Sequence, residues 1–220
     1  FKQKTAYEIM PSLVGSEMCI RDRIPIDPEI DKVNPGARAL LKGPKLEKAY
    51  FSNTEVRGLM NHGSIYTLDG YDFPTFGWDW GIHENYVFTL VDIHPLRTEE
   101  EYMKKYIEPI KEIYEKYSRF HQYETRRPSF STPYRSGYEY EGRIPNEFIA
   151  DSITLTLDYL DLWLKYYREA KPVEDPKLRE EAITRKREMR EVYRKNDPGR
   201  GPLIRAYGKE LAEKIMEIVM

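Results

Sequence analysis

The pattern of apolar and polar positions changes period once along this 220-residue chain. From Glu55 to Leu68 and from Phe73 to His94, aromatic and β-branched residues are punctuated by Asp69-Gly70, Gly77 and His83-Glu84-Asn85, which predicts consecutive antiparallel strands. Upstream, Ile24 to Leu46 is rich in Pro and Gly and reads as an extended lead-in followed by a short helix or strand. At Thr98 the spacing becomes helical. Thr98 followed by Glu101 has the form of a capping box, and Met103, Tyr106, Ile107, Ile110, Ile113, Tyr114 and Tyr117 recur at three and four, which predicts a helix to about Arg119, bent at Pro109. Ser129 to Gly142 is turn-rich, with room for a strand or two. Asn146 stands where it would cap a helix to about Ala170, with Phe148, Ile149, Ile153, Leu157, Leu160, Leu164 and Tyr167 on its apolar side. Asp175-Pro176 opens another helix in cap-then-proline order, ending near Asn196, and Pro202 opens a last one. Strands first and helices later make one α/β domain.

Composition alters this picture at the N-terminus. Residues Phe1 to Arg23 resemble a translated sequencing adaptor, in two blocks, Phe1–Ile9 and Leu13–Asp22, with a short barcode-like gap between them. The expected fold is therefore residues 24–220, truncated at both ends, with 1–23 excluded. The exclusion removes Cys19, the only cysteine, and with it disulfides, iron–sulfur ligation and a thiolate nucleophile. It also removes four basic and three acidic residues, moving the formal charge from −2 to −3, a balance with no argument for nucleic acid. No apolar run approaches the roughly 20 residues of a membrane span, because Asp151, Asp158 and Asp161 interrupt the best candidate. A cytoplasmic location is the corresponding expectation.

Candidate chemistry begins in TFGWDWG, Thr75 to Gly81. On a strand, Phe76, Trp78 and Trp80 point one way, and Thr75, Gly77, Asp79 and Gly81 the other. Asp79 thus sits on a face stripped of bulk, which makes room for a flat ligand; the competing reading is an aspartate bonded to a neighbouring loop. Met60, His62, Ser64 and Tyr66 share a face of the preceding strand, and an antiparallel pairing would bring His62 to Asp79. In NDPGRGP, Asn196 to Pro202, Asp197-Pro198 fits an Asx-type turn and Gly199-Arg200-Gly201 a small anion nest. The basic stretch Lys177 to Arg205 is either a solvated helical face or a dock for an acidic partner. The four histidines are scattered, without H-x-H, H-E-x-x-H or C-x-x-C grouping, so a metal site has little support, and nucleophile-elbow and dinucleotide fingerprints are missing.

Taken together, these residues resemble the ferredoxin-dependent bilin reductases over roughly Lys48 to Met220. YDFPTFGWDW followed by VFTLVDIHPL looks like the family's Pro-x-Phe-Gly-x-Asp strand and its Asp-x-x-Pro strand, and VYRKNDPGRGPLIRAYGKELAEKIM looks like its closing segment. The resemblance implies a three-layer α/β/α sandwich with a central antiparallel sheet, holding biliverdin IXα between the sheet and the C-terminal helices. It implies an enzyme with no metal or flavin of its own, supplied with single electrons by an external [2Fe–2S] ferredoxin, while side chains supply protons to radical intermediates. By the same resemblance Asp79 is the central catalytic aspartate, His62 its partner and Asp197 a second proton donor linked to A-ring reduction. Arg126 and Arg127, after the first long helix, are candidates for the bilin propionates on charge and position. Phycocyanobilin-forming members carry a glutamate 12 residues before the histidine; an ungapped count lands on Tyr50, and a small gap would bring in Glu47. Phycoerythrobilin is therefore the favoured product, with a phycocyanobilin-forming reductase or a non-catalytic bilin- or haem-binding protein of the same fold as alternatives.

Overall fold

The structure, a computed structural model, describes residues 22–24, 26, 28–33, 36–54 and 60–220. Its centre is a seven-stranded meander in sequence order, every neighbouring pair antiparallel: β1 Asp22–Ile24, β2 Gly36–Gly43, β3 Leu46–Thr54, β4 Met60–Thr67, β5 Thr75–Ile82, β6 Tyr86–His94 and β7 Tyr140–Pro145. The alternation that predicted β4 to β6 puts the tryptophans of β5 on one face, with Asn61 and Thr89 buried beside them, and His62, Ser64, Asp79, Asp92 and His94 on the other. Phe76, Trp78 and Trp80 are buried against the long helix α4, Ile149–Glu169, which follows β7. The Trp80 indole N–H donates to Ser152 Oγ at 2.9 Å, and that of Trp163, on α4, donates to the Pro74 carbonyl at 2.7 Å. Each fully buried large side chain stabilises the fold by about 1.5–3 kcal/mol. The aromatic cluster of Phe73, Phe76, Trp163 and Tyr159 is therefore the mechanical base on which the opposite face is presented.

That opposite face is covered by α5 Pro176–Asn196, α6 Arg200–Tyr207 and α7 Lys209–Val219. Ile215 and Val219 of α7 meet Leu40 and Tyr50 of the sheet, and Ile30 from α1, Pro28–Val33, joins them. The result is the expected three-layer α/β/α sandwich. Asp175 caps α5 as its sequence position predicts, accepting from the Lys177 N–H at 2.8 Å.

Several local expectations are corrected. The short helix or strand expected before Leu46 is α1 and strand β2, and β2 pairs with a further strand, β3, that the sequence does not mark because it lacks the aromatic repeat of the later strands; positions 55–59, where the next strand is expected to begin, lie outside the described residues. The helix from Thr98 is two, α2 Glu100–Tyr106 and α3 Ile110–Lys116, broken rather than bent, since Pro109 has no N–H to continue the ladder. Glu99, not Thr98, is the N-cap of α2, and it makes no side-chain cap. Asn146 does not cap α4; its amide donates to the His83 and Glu84 carbonyls at 2.9 and 2.8 Å and ties down the β5–β6 turn. The last helix is divided at Gly208, whose φ of +76° belongs to the region glycine alone enters freely. The adaptor-like segment lies largely outside the described residues, and its final Asp22 and Arg23 pair with Lys42 and Leu41 at the sheet edge.

Candidate active site

Between the sheet and α5–α7 lies a cavity of about 740 Å³, within the range of small-molecule sites. Its floor is the polar face of β4, β5 and β6. Antiparallel register sets His62 directly opposite Asp79, and Ser64 opposite Gly77. The His62 Nδ1–H donates to Asp79 Oδ1, and the two side chains are only partly open, 28% and 35% exposed. His62 Nε2 is buried and has no hydrogen-bond partner among the described residues. A buried polar atom left unpaired costs about 1–3 kcal/mol, which a ligand offering an acceptor or donor would recover.

Asp197 enters the same cavity from the loop between α5 and α6. Its Oδ1 accepts the Gly199 N–H at 2.5 Å, so the Asx turn read from NDPG is present and also aims the carboxyl inward. Burial raises the Asp197 pKa, and the nearby Asp79 charge raises it further, against smaller opposing effects of the Gly199 N–H and His62. For His62, burial disfavours the charged ring, but the Asp79 charge and hydrogen bond, with Asp197 behind them, outweigh it and raise the pKa. One imidazole and two carboxyls thus meet at one end of the cavity. Such a set can hand a proton to a bound molecule and regain it from solvent.

The cavity wall also answers the question of Glu47 against Tyr50. Tyr50 lines the cavity opposite Ser64, its ring 5.9 Å from that of His62. Glu47 does not line it; its carboxylate receives Lys186 and Arg190 at 2.7 Å each. Lys186 itself is buried between Glu47 and Asp69, at 2.7 and 2.6 Å, so it is not part of a basic docking face. Arg187, Arg194, Lys195 and Arg205 of the same stretch are exposed.

The two arginines expected at the propionates are placed elsewhere. Arg126 is exposed, and Arg127 bridges Glu124 and Glu139 at 3.1 and 3.2 Å; neither lines the cavity. The arginines that do are Arg38, Arg135, Arg190 and Arg205. Sequence reasoning also missed Asp92, His94, Glu139 and Glu141, all on the wall. The strand register carried the signal for the first two: counting back from Asp79 along β5 and across to β6 gives Leu90, Asp92 and His94 on the same face. Glu139 ends, and Glu141 follows, the long connection between β6 and β7, and no local pattern marks them.

A cavity floored by a glycine-opened sheet and ringed by protonatable groups defines an α/β/α sandwich with a small-molecule site. Comparison with known proteins makes the class specific. The family model for ferredoxin-dependent bilin reductases matches residues 57–220, and the chain belongs to that family as a ferredoxin-dependent bilin oxidoreductase. Similar curated proteins are the 15,16-dihydrobiliverdin:ferredoxin oxidoreductases of Gloeobacter violaceus, 26% identical, and Nostoc punctiforme, 24% identical; each match covers 78% of this chain and 71% of the relative. Among solved structures, tomato phytochromobilin synthase in complex with biliverdin superposes with a TM-score of 0.77 at 17% identity, covering 96% of this chain and 78% of that one. This last likeness is one of fold.

Proposed function

We propose that this chain reduces biliverdin IXα to phycoerythrobilin, taking single electrons from a reduced [2Fe–2S] ferredoxin and protons from His62, Asp79 and Asp197. The observation that carries the reading is the convergence of those three side chains on one cavity, with His62 Nε2 unpartnered there and the Asp197 pKa raised. Each two-electron reduction consumes two electrons and two protons, so two successive reductions require repeated proton delivery at separate carbons of the bilin. Asp79, paired with His62, serves the 15,16 position named in the curated relatives' reaction. Asp197, held on the helical side of the cavity, serves the A-ring. The propionates find their cations among Arg38, Arg190 and Arg205, which line the cavity.

Phycocyanobilin formation is the less favoured outcome. Its vinyl reduction, which takes the place of the 15,16 reduction, is associated with a glutamate where Tyr50 stands, and burial raises the Tyr50 pKa, making it a poor proton donor. The test is an anaerobic absorbance time course of the protein with biliverdin IXα, ferredoxin and a reducing system, followed by chromatography of the pigment. Decay of the biliverdin band through a transient radical to a blue-shifted pigment that co-elutes with phycoerythrobilin is expected. Co-elution with phycocyanobilin would overturn the product, and a bound spectrum unchanged by reduced ferredoxin would overturn the proton-donor roles.

A further inference from the structure

The three donors above leave unused a second histidine–aspartate pair at the other end of the cavity. His94 closes β6 opposite Thr75, four residues along from Leu90, the register partner of Asp79. At about 3.3 Å per residue this sets it roughly 13 Å along the sheet from Asp79, a separation on the scale of four linked pyrrole rings. Its Nδ1 lies 3.1 Å from Asp92 Oδ2 and 3.2 Å from the Tyr134 carbonyl. Both are acceptors, so Nδ1 carries the hydrogen and Nε2 is the nitrogen presented to the cavity. Nε2 lies over Gly77, 3.5 Å from where a Cβ on that residue would stand. Asp92 is itself fixed: it is 1% exposed and accepts the backbone N–H of Ile93 at 2.8 Å and that of Ser136 at 3.3 Å. Beside this pair, the hydroxyl of Thr75, 1% exposed, has no hydrogen-bond partner among the described residues. Thr75, Gly77, Asp92 and His94 all line the cavity.

We propose that His94, oriented by Asp92, is a further protonating group for the bilin, serving the end of the tetrapyrrole remote from Asp79, where the Thr75 hydroxyl supplies a hydrogen bond. The inference rests on the bilin occupying this cavity. An electron from reduced ferredoxin makes the bilin a radical anion, and the His94 Nε2–H gives its proton to a carbon of that radical. The neutral imidazole keeps its Nδ1–H on Asp92 and is reprotonated from solvent, and a second electron and proton complete the two-electron reduction. The surroundings favour the protonated ring. Burial opposes it, but the charge and hydrogen bond of Asp92 and the Tyr134 carbonyl outweigh burial and raise the pKa, with Arg135 as a smaller opposing charge. From α5, Tyr193 meets the ring edge-on at 5.7 Å, and Arg185 is engaged with the Pro95 and Pro133 carbonyls.

His94→Gln keeps a polar side chain of similar reach but cannot release a proton. It is expected to bind biliverdin within about threefold of wild type by absorbance titration, yet to shift the product at least tenfold toward a partially reduced bilin on chromatography. Single-turnover rates followed against pH should lose the fall that wild type shows as pH rises through the His94 pKa. Thr75→Val removes a hydroxyl that the fold does not use, so it should unfold at or above the wild-type temperature and bind biliverdin several-fold more weakly. Wild-type product ratios and an unchanged pH profile in His94→Gln, or wild-type affinity in Thr75→Val, would overturn the inference alone. A wild-type protein that fails to bind biliverdin would overturn the reading of the cavity, and this inference with it.

Discussion

Two glycines on adjacent strands, one facing each side of the sheet, separate the structural from the functional half of this protein. A Cβ added to Gly63 on β4 would fall 1.9 Å from the Trp78 indole, whereas one added to Gly77 on β5 would meet nothing nearer than His94 Nε2 at 3.5 Å. In Gly63→Ala the ring of Trp78 must move. It is 2% exposed, wedged between Phe51 and Phe76 at centroid distances of 5.5 and 5.4 Å, and its N–H donates to Asn61 Oδ1 at 2.7 Å. Overpacking of this kind costs about 1–3 kcal/mol, and stranding the buried Asn61 acceptor adds about 1–3 kcal/mol. A net loss of about 3 kcal/mol lowers Tm by roughly 6–12 °C for a chain of this size. Gly77→Ala should instead leave Tm within about 2 °C of wild type or raise it slightly, since a strand glycine replaced by alanine loses chain entropy only in the unfolded state. Its methyl group stands in the space assigned to the bilin, so biliverdin affinity should fall at least tenfold. Thermal unfolding by calorimetry and biliverdin titration by absorbance read both effects. If Gly63→Ala melts with wild type, the placement of Trp78 across Gly63 is wrong; if Gly77→Ala binds biliverdin normally, the flat-ligand reading of the sheet fails.

Other outcomes follow from the same geometry. Asp197→Asn keeps the carbonyl that accepts the Gly199 N–H but removes a carboxyl whose pKa is raised in the fold. The folded state then holds its proton where the unfolded state has lost it, so wild-type stability falls as pH rises above about 4; the variant should melt higher at pH 7, match wild type near pH 3, and release a half-reduced bilin. Lys48 donates to the Glu217 and Ile218 carbonyls at the end of α7 at 3.0 and 2.8 Å, and burial, with Arg190 close by, lowers its pKa to about 7. Between pH 7 and about 10 the unfolded chain binds the extra proton, so wild type gains stability from this group as pH rises; the Tm of Lys48→Met minus that of wild type should decline from pH 6 to pH 10, and a flat or rising difference would refute the assignment. Glu47→Gln removes a partner of buried Lys186 and should lower Tm measurably while leaving the pigment products unchanged on chromatography.

How much of this was legible in the sequence depends on the range over which each signal acts. β5 and β6 were readable because aromatic residues alternate without interruption and each strand pairs with its neighbour in sequence, so the face of one fixes the face of the next. Asp175 was readable because a cap is decided within three residues. The β2–β3 hairpin was less so, since Leu40, Lys48 and Tyr50 are covered by α7 more than 160 residues later, while Leu46, Ala49 and Phe51 join the core on the opposite face. The break of the helix after Thr98 shows the same limit from the other side: periodicity located buried Tyr106, Ile107, Ile110 and Tyr117 but passed over Tyr102, and the missing N–H of Pro109 fixed where the hydrogen-bond ladder stops.

The site divides along the same line. His62 and Asp79 could be paired from strand alternation alone, because 17 residues and one reversal leave little freedom in register. Asp197 could be placed only by resemblance, and the propionate arginines were placed by charge and nearness in sequence, neither of which reports on direction. Arg127 illustrates the failure: its position after the first helix is as expected, but two carboxylates, Glu124 and Glu139, are closer partners than any ligand in the cavity. Arg135, eight residues on, reaches the cavity instead, against Glu139 and Glu141 at 3.2 Å, and Glu139 retains a buried Oε2 without a partner among the described residues. Burial raises the Glu141 pKa despite Arg135. This end of the cavity is therefore acidic and underbonded, and it suits N–H groups of a bound pyrrole or lactam better than a propionate. In the proposed reading the bilin's carboxylates are then directed toward Arg38, Arg190 and Arg205, away from the arginine pair chosen from sequence.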